Sequence, residues 1–241
     1  MTNRSIPDGT VRPGAKEVLR GLILGIETGS RACSVAILRD GDPVAREFQA
    51  TDHGHATMLM PMIERVRAEA GCDYAAFDRI AVAVGPGSFT GIRVGLAAAL
   101  GLSLASGVPA VGVSSFQVVG VGGIAADEFR DLRGFVLLDS RREEPFLIEI
   151  GNDGSFKSPP VVTTIADFDA LLASAGPCVV AGDAPALARP GQHFPPNVRV
   201  VQFTPDAAMV AALASDSERR FDLPPKPVYL RAPDVTMPKP T

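Results

Sequence analysis

The chain contains 241 residues, of which 46% are apolar and 21% are charged, and its formal net charge is -4. This length suits one large domain or two small ones, and the acidic balance excludes a global electrostatic attraction to nucleic acid. The cysteines Cys33, Cys72 and Cys178 are far apart and form no CxxC pair, so the sequence predicts reduced thiols in a cytoplasmic protein rather than a disulfide framework.

The first 20 residues are polar and contain four structure-breaking residues, Pro7, Gly9, Pro13 and Gly14. They lack the apolar stretch of a secretory signal, so we expect a mobile leader over residues 1–20. Regular structure is predicted from Leu22 onward.

Three strands are predicted before the first helix. Residues 21–27 form an apolar run that ends in the polar turn Thr28-Gly29-Ser30. Residues 32–38 form a second apolar run, and residues 43–50 can return as a third strand after an Asp-Gly-Asp turn. Short turns between successive strands predict antiparallel pairing.

Residues 56–70 show helical periodicity, because apolar residues recur at spacings of three and four and Gly71 follows as a stop. The recurring residues are Ala56, Leu59, Ile63, Val66 and Ala70. Met58 and Met62 are predicted to flank this stripe, where adaptable methionines suit either contact with another chain or an irregular core. His53 and His55 are two residues apart rather than the four that a shared metal ion requires on a helix, so no metal site is predicted.

The central stretch of the chain runs from residue 79 to residue 107. Residues 80–84 predict a strand buried on both faces, and Ser88 or Thr90 can cap a helix over residues 91–106. The start of this helix could hold a phosphate or carboxylate, although the glycine spacing matches neither a P-loop nor a dinucleotide fingerprint. The alternative is that the glycines allow a sharp turn and close packing of the helix on the sheet. The anion contacts predicted by the first interpretation are Thr28, Gly29, Ser30, Gly85, Gly87, Ser88, Thr90 and Arg93.

The helix over residues 91–106 is apolar on every side, so we expect its own sheet and a second surface to cover it. A membrane is not the predicted cover, because Gly95, Gly101 and Ser103 interrupt a run that is marginal in length for a bilayer. We predict instead an interface with another copy or another protein, formed together with the preceding helix. Its predicted residues are Met58, Met62, Ile63, Val66, Ile92, Leu96, Leu100 and Leu104.

The second half of the chain repeats the strand, turn and strand opening of the first. Strands are predicted at residues 135–139, 146–150 and 178–181, with a helix at 165–175 between the last two. This duplication predicts an N-terminal lobe over residues 21–118 and a smaller C-terminal lobe over residues 119–241. The chain ends in a proline-rich, locally basic tail that contains Lys226, Arg231 and Lys239.

Two βββαβα-type halves with a glycine turn resemble the actin-like ATPase fold, the ribonuclease H-like architecture of sugar kinases and Hsp70. Within that fold, residues 85–95 resemble the signature of the TsaB (YeaZ) family. The resemblance spans residues 22 to about 231, because further segments follow in the order of that family. These segments are Ile26-Glu27-Thr28, Cys33-Ser34-Val35-Ala36, His55 before Leu59-Met60-Pro61, Val111-Gly112-Val113-Ser114, Asp139-Ser140-Arg141 and Pro227-Val228-Tyr229-Leu230-Arg231.

Three features depart from the pattern of the family or its fold. Glu27 stands where the ATPases of this fold carry Asp. Ser140-Arg141 follows Asp139 where a kinase needs a glycine, and Pro145-Phe146 replaces the family's Val-Tyr. These departures argue against nucleotide chemistry in this chain and leave the fold assignment unaffected.

The resemblance implies a non-catalytic scaffold that pairs with the paralogous transferase TsaD and the ATPase TsaE for N6-threonylcarbamoylation of adenosine 37 in tRNAs that read ANN codons. It implies a homodimer when the protein is alone, contact with tRNA only through the complex, and no metal or catalytic residue of its own. ATP or ADP with Mg²⁺ would bind only at the assembled complex, and the first two helices would carry the partner contact. The alternative is an enzyme of the same superfamily, either an ATP-dependent phosphotransferase or a metallo-endopeptidase of the glycoprotease group.

Overall fold

The computed structural model describes residues 2–4 and 20–231. The strands in this part of the chain are β1 (Thr2–Arg4), β2 (Leu22–Glu27), β3 (Ala32–Arg39), β4 (Asp42–Ala50), β5 (Arg79–Gly85), β6 (Ala110–Ser114), β7 (Arg133–Leu138), β8 (Phe146–Ile150), β9 (Val161–Val162), β10 (Cys178–Gly182) and β11 (Val198–Phe203). The α-helices are α1 (His55–Ala70), α2 (Phe89–Ser106), α3 (Ser115–Ile124), α4 (Ile165–Ser174), α5 (Ala184–Leu187) and α6 (Ala207–Ala214).

The N-terminal lobe is built on a five-stranded sheet with the order β4-β3-β2-β5-β6. β2, β3 and β4 pair in antiparallel fashion, which confirms the prediction of three such strands before the first helix, and β5 and β6 add parallel strands. Every residue of β2 and β5 is buried, because helices cover both faces of these central strands. α1 and α2 pack side by side on one face.

The C-terminal lobe repeats this arrangement, which confirms the predicted duplication. Its sheet has the order β1-β11-β10-β7-β8-β9, in which β7, β8 and β9 are antiparallel and β10 and β11 are parallel additions. The backbone of Thr2–Arg4 extends the edge beside β11, so this part of the predicted mobile leader is a strand. Residues 1, 5–19 and 232–241 lie outside the described part, so the prediction of mobility for most of the leader falls there. Of the basic tail, the structure describes residues 224–231, where the backbone nitrogen of Val228 donates to the carbonyl oxygen of Val84 and Arg231 pairs with Glu144.

The last helix of each half packs mainly on the sheet of the other half. α3 follows β6 but lies on β7, β10 and β11, whereas α6 follows β11 but lies on β2, β3 and β5. All eight residues of α6 are buried, and the helix can sit this close because Gly25 lacks a side chain. A Cβ atom at Gly25 would lie 2.2 Å from the carbonyl oxygen of Ala207. The predicted division at residues 118 and 119 did not anticipate this exchange of helices.

Candidate functional site

The turn after β2 is closed by a carboxylate of its own strand. Oε1 of Glu27 accepts hydrogen bonds from the backbone nitrogens of Gly29 at 2.7 Å and Ser30 at 3.1 Å, and Oε2 accepts one from the Ser30 hydroxyl at 2.7 Å. Burial raises the pKa of Glu27 to about 7, although these hydrogen bonds favour the ionised form. The amides of this turn, predicted to contact an anion, are therefore bonded within the chain.

The glycine motif brings the start of α2 against that same turn. The backbone nitrogen of Ser88 donates to the carbonyl oxygen of Gly29 at 2.7 Å, and the hydroxyl of Thr28 donates to the carbonyl oxygen of Gly91 at 2.8 Å. A Cβ atom at Gly91 would lie 1.9 Å from the carbonyl oxygen of Thr28, and one at Gly87 would lie 2.5 Å from that of Gly29. This geometry supports the packing interpretation of the glycines. The predicted cap is also present, because Ser88 Oγ accepts from the nitrogen of Gly91.

The corresponding turn of the C-terminal lobe is built around Asp139. Its carboxylate accepts from Nη2 of Arg189 at 2.7 Å and from Nη2 of Arg31 at 3.1 Å, and Arg31 comes from the other lobe. Behind it, the buried carboxylate of Asp183 accepts from the backbone nitrogen of Asp139 at 3.1 Å. Burial, together with the nearby charge of Asp139, raises the pKa of Asp183 to about 7.

A second set of ion pairs crosses between the lobes at the cleft. Asp52 accepts from Arg31 and from Arg141, each at 2.8 Å, and Arg141 also donates to the carbonyl oxygen of Ser30 at 2.9 Å. Arg141 has a φ of 62°, in the left-handed region that glycine adopts without strain. The backbone therefore makes the turn for which a kinase uses glycine, but here the residue has a side chain. That side chain spans the cleft toward the opposite turn.

The floor of the cleft is almost filled by these side chains. Glu27, Asp139 and Asp183 line a cavity of about 10 Å³, which is about enough for one water molecule. A nucleotide triphosphate with its metal ion does not fit in this volume. The site where ATPases of this fold would hold phosphates is occupied here by carboxylates and ion pairs of the chain itself.

A larger cavity of about 610 Å³ opens outside the floor, between the start of α2, the turn after β7 and residues 228–231. Gly87, Ser88 and Thr90 line it, as does Arg141. Two predicted contacts, Gly85 and Arg93, do not line it. A Cβ atom at Gly85 would lie 2.7 Å from Cδ1 of Ile92, and the guanidinium carbon of Arg93 is 3.8 Å from the centre of the Phe89 ring. The other predicted anion residues divide between a filled turn and an open pocket.

Phe89, Arg142, Tyr229 and Arg231 line this pocket but were not among the predicted contacts. Phe89 lies inside the glycine motif, while Tyr229 and Arg231 belong to the last matching segment of the family pattern. Their spatial meeting had no local signal, because it joins three segments that are far apart in the sequence.

The second candidate site is an apolar groove between α1 and α2 with a volume of about 560 Å³. Leu100 and Leu104 stand on the outer face of α2 with exposed fractions of 45% and 89%. Met58 is half-buried beside the groove. The residues that line the groove are Ala56, Leu59, Met60, Val94, Ala97, Ala98, Gly101 and Leu102.

Five of the predicted interface residues belong instead to the core of their own lobe, which corrects the prediction. They are Met62, Ile63, Val66, Ile92 and Leu96, with exposed fractions between 0% and 5%. The physical reason is that α1 lays positions 59, 62, 63 and 66 on the sheet, so Met62 lies within the buried stripe and not at its flank. Met60, Ala97 and Gly101 are groove residues that the sequence did not single out.

α2 is long and apolar enough to cross a membrane by length and composition. Its buried face, formed by Gly91, Ile92, Gly95, Leu96 and Ala99, packs on the sheet of the N-terminal lobe. The same composition therefore fits a helix that is covered on one face by its own lobe.

His55, the first residue of α1, has a structural role. His55 is buried, and its Nε2 lies 3.1 Å from the carbonyl oxygen of Ala32, while burial lowers its pKa. Within residues 2–4 and 20–231, no three His, Cys, Asp or Glu side chains cluster as metal ligands.

Comparison with known proteins adds sequence relatives. The family model described as tRNA N6-adenosine threonylcarbamoyltransferase, TsaD, matches residues 49–154. An uncharacterized protein of Mycobacterium tuberculosis is 31% identical over 215 residues, which are 88% of this chain and 93% of that protein. The tRNA threonylcarbamoyladenosine biosynthesis protein TsaB of Escherichia coli is 33% identical over 131 residues. The chain is thus a homologue of proteins named TsaB, which it matches over about half of its own length and of theirs.

The match to E. coli TsaB covers 54% of this chain and only 55% of that protein. Among solved structures, YeaZ from Pseudomonas aeruginosa superimposes with a TM-score of 0.69 and 24% identity over 87% of this chain and 100% of that one. The activator of 2-hydroxyisocaproyl-CoA dehydratase from Clostridium difficile reaches a TM-score of 0.50 at 14% identity, over 83% of this chain and 96% of that one. The chain therefore has the predicted actin-like α/β fold.

Proposed function

We propose that this TsaB-family protein is a non-catalytic subunit in the biosynthesis of threonylcarbamoyladenosine in tRNA. In this proposal it docks on a TsaD protein of the same organism through the groove between α1 and α2. When alone, it pairs with a second copy through the same groove. The names of its relatives support the pathway, and the groove supports the mode of action.

The observation that carries the proposal is the apolar outer face of α2. Beyond Arg93, the exposed positions of this helix are Ala97, Leu100, Gly101, Leu104 and Ala105. Uncovered apolar surface of this kind, continuous with a groove, is typical of interaction sites. Small residues at Ala97 and Gly101 would let a partner helix approach closely, while Leu100 and Leu104 would enter its grooves.

The filled cleft supports a non-catalytic role. The carboxylates that could hold a metal ion are committed to backbone amides or to arginines, and the floor has room for about one water molecule. ATP or ADP with Mg²⁺ therefore belongs at the assembled complex, which would include TsaE. The net charge of -4 favours contact with tRNA through the complex, and the reduced thiols favour a cytoplasmic location.

The test is co-expression with the TsaD protein of the same organism, followed by size-exclusion chromatography with light scattering. We expect a complex with the wild type. Leu100→Asp and Leu104→Asp should weaken it at least about tenfold, because each places a charge in the apolar contact. Val161→Asp is the matched control, since Val161 is 47% exposed on the C-terminal lobe, far from the groove.

The same three variants test self-association of the protein alone. Loss of the dimer in the two leucine variants and its retention in Val161→Asp would support the groove. Equal assembly of all three variants with TsaD would contradict the proposal. The enzyme alternative is tested by calorimetric titration of the isolated protein with ATP and Mg²⁺, in which micromolar binding with turnover would favour a phosphotransferase.

A further inference from the structure

The pocket outside the cleft floor has the size of a small-molecule site. Its volume of about 610 Å³ lies within the range of pockets that hold drug-sized ligands or cofactors. One wall is the start of α2, the second is the turn after β7, and the third is the segment 228–231. The pocket does not include any residue of the groove between α1 and α2.

The pocket walls are cationic in an acidic protein. Arg141, Arg142 and Arg231 line it, and the described lining residues include no Asp or Glu. Ion pairs fix two of these arginines, Arg141 with Asp52 and Arg231 with Glu144. The first turn of α2 contains no acidic residue, so its positive dipole end and the Thr90 hydroxyl face the same space. This combination suits a phosphate group.

An aromatic platform stands beside these charges. The rings of Phe89 and Tyr229 lie 5.0 Å apart with an interplanar angle of 33°. Arg93 holds the pair in place, because its guanidinium lies over the Phe89 ring and its Nε donates to the Tyr229 hydroxyl at 2.9 Å. Aromatic faces next to arginines are the elements with which proteins stack a nucleobase and bind its phosphate.

We propose that this pocket binds a nucleotide, with the phosphate on Arg141, Arg142 and Arg231 and the base stacked on the Phe89–Tyr229 pair. Binding needs no metal ion, because arginines rather than carboxylates face the phosphate. The ligand is either a free nucleotide or an unpaired nucleotide of an RNA strand, which present the same chemistry. This site goes beyond the proposed subunit role, since it lies on the isolated chain and away from the groove.

The test is ligand-detected NMR on the full-length protein without Mg²⁺, with three probes: AMP, inorganic phosphate and a single-stranded RNA pentamer. We expect AMP to bind at least about tenfold more tightly than phosphate, because stacking adds affinity that phosphate lacks. Binding of the pentamer without binding of AMP would assign the site to RNA. Binding of AMP at least as tight as binding of the pentamer would assign it to a free nucleotide.

Variants locate the binding. Arg142→Glu and Tyr229→Ala should each lower the affinity of the tighter probe by about tenfold. Arg199→Glu makes the same charge change as Arg142→Glu at an exposed position on β11, so it should stay within about twofold of the wild type. An equal loss in Arg142→Glu and Arg199→Glu, or no binding of any probe, would overturn the proposal. Leu104→Asp should leave nucleotide binding unchanged, so failure of docking and failure of this site are distinguishable.

Discussion

At the scale of single residues, the decisive side chain is Glu27. The longer side chain in place of Asp turns its carboxylate back onto the amides of the following turn, and burial keeps its pKa near 7. Asp183 has a similarly raised pKa on the other side of the cleft. Two buried carboxyl groups therefore hold protons in the folded state at pH values where an unfolded chain has released them.

The raised pKa of Glu27 predicts a pH dependence of stability. Between about pH 4.5 and pH 7 the folded protein retains a proton on Glu27 that the unfolded chain lacks, so this group's contribution is present at low pH and lost as the pH rises to 7. The pH slope of the unfolding free energy measures how many more protons one state binds than the other. In this window we expect that difference to be smaller by about one proton in Glu27→Gln than in the wild type. Urea unfolding of wild type and variant at pH 5, 6, 7 and 8 measures this difference.

Asp183→Asn provides the companion measurement, because its raised pKa covers the same window. A double variant should lose about two protons from the slope. Other groups, including His55 with its lowered pKa, cancel in the comparison with the wild type. Parallel pH profiles of wild type and both single variants would show that neither carboxyl group carries a raised pKa.

At the scale of elements, most of the fold was predictable from periodicity and turns. β2, β3, β4, β5 and α1 were recognisable from apolar runs, helical spacing and glycine stops. α6 and β11 were missed for a physical reason. Residues 207–214 are all buried and apolar, since they pack on the N-terminal sheet and on α3, so no amphipathic pattern marks the helix.

The candidate site was predictable only in part, and α2 shows why. Its apolar composition on every side predicted that a second surface, besides its own sheet, covers the helix. Composition does not show which side faces the sheet, so Ile92 and Leu96 were predicted in the interface, whereas the structure buries both. The exposed side is fixed by the glycines, since Gly91 and Gly95 must face the β2 turn. Only the contact geometry of these glycines orients the helix and leaves Leu100 and Leu104 outside.

The glycines of α2 give a prediction at this scale. Gly91→Ala places a methyl group against the carbonyl oxygen of Thr28, which is backbone and cannot yield cheaply, so we expect a loss of about 1–3 kcal/mol in the unfolding free energy. Gly101→Ala on the same helix meets nothing within 4 Å and should gain up to about 1 kcal/mol from helix propensity. Chemical denaturation of both variants measures the contrast. Gains of equal size in the two variants would mean that helix propensity, and not the close approach, governs Gly91.

At the scale of the whole molecule, ion pairs across the cleft hold the two lobes together. Arg31 of the N-terminal lobe contacts Asp139 of the C-terminal lobe, and Arg141 reaches back to Asp52. Arg189 completes the set, with only 9% of its side chain exposed. A cleft closed in this way is suited to present a fixed surface to a partner and less suited to opening and closing around a substrate.

Removal of the central carboxylate tests this closure. Asp139→Asn leaves the buried guanidinium of Arg189 without its charge partner, so we expect a loss of about 3 kcal/mol in the unfolding free energy. Asp52→Asn is the matched control and should cost much less, because Asp52 is 47% exposed and its pairs are screened by solvent. Thermal and urea denaturation compare the two variants. A cost for Asp52→Asn as large as that for Asp139→Asn would contradict this ranking.

The exchange of α3 and α6 between the lobes affects how this protein folds during translation. The last strand of the first sheet, β6, ends at residue 114, but the helix that shields one face of this sheet, Ala207–Ala214, is translated much later. Until then, the apolar face of the first sheet in the nascent chain lacks the helix α6 that covers it in the folded protein. Completion of either half therefore waits for the other, and folding during synthesis ends as a single late event.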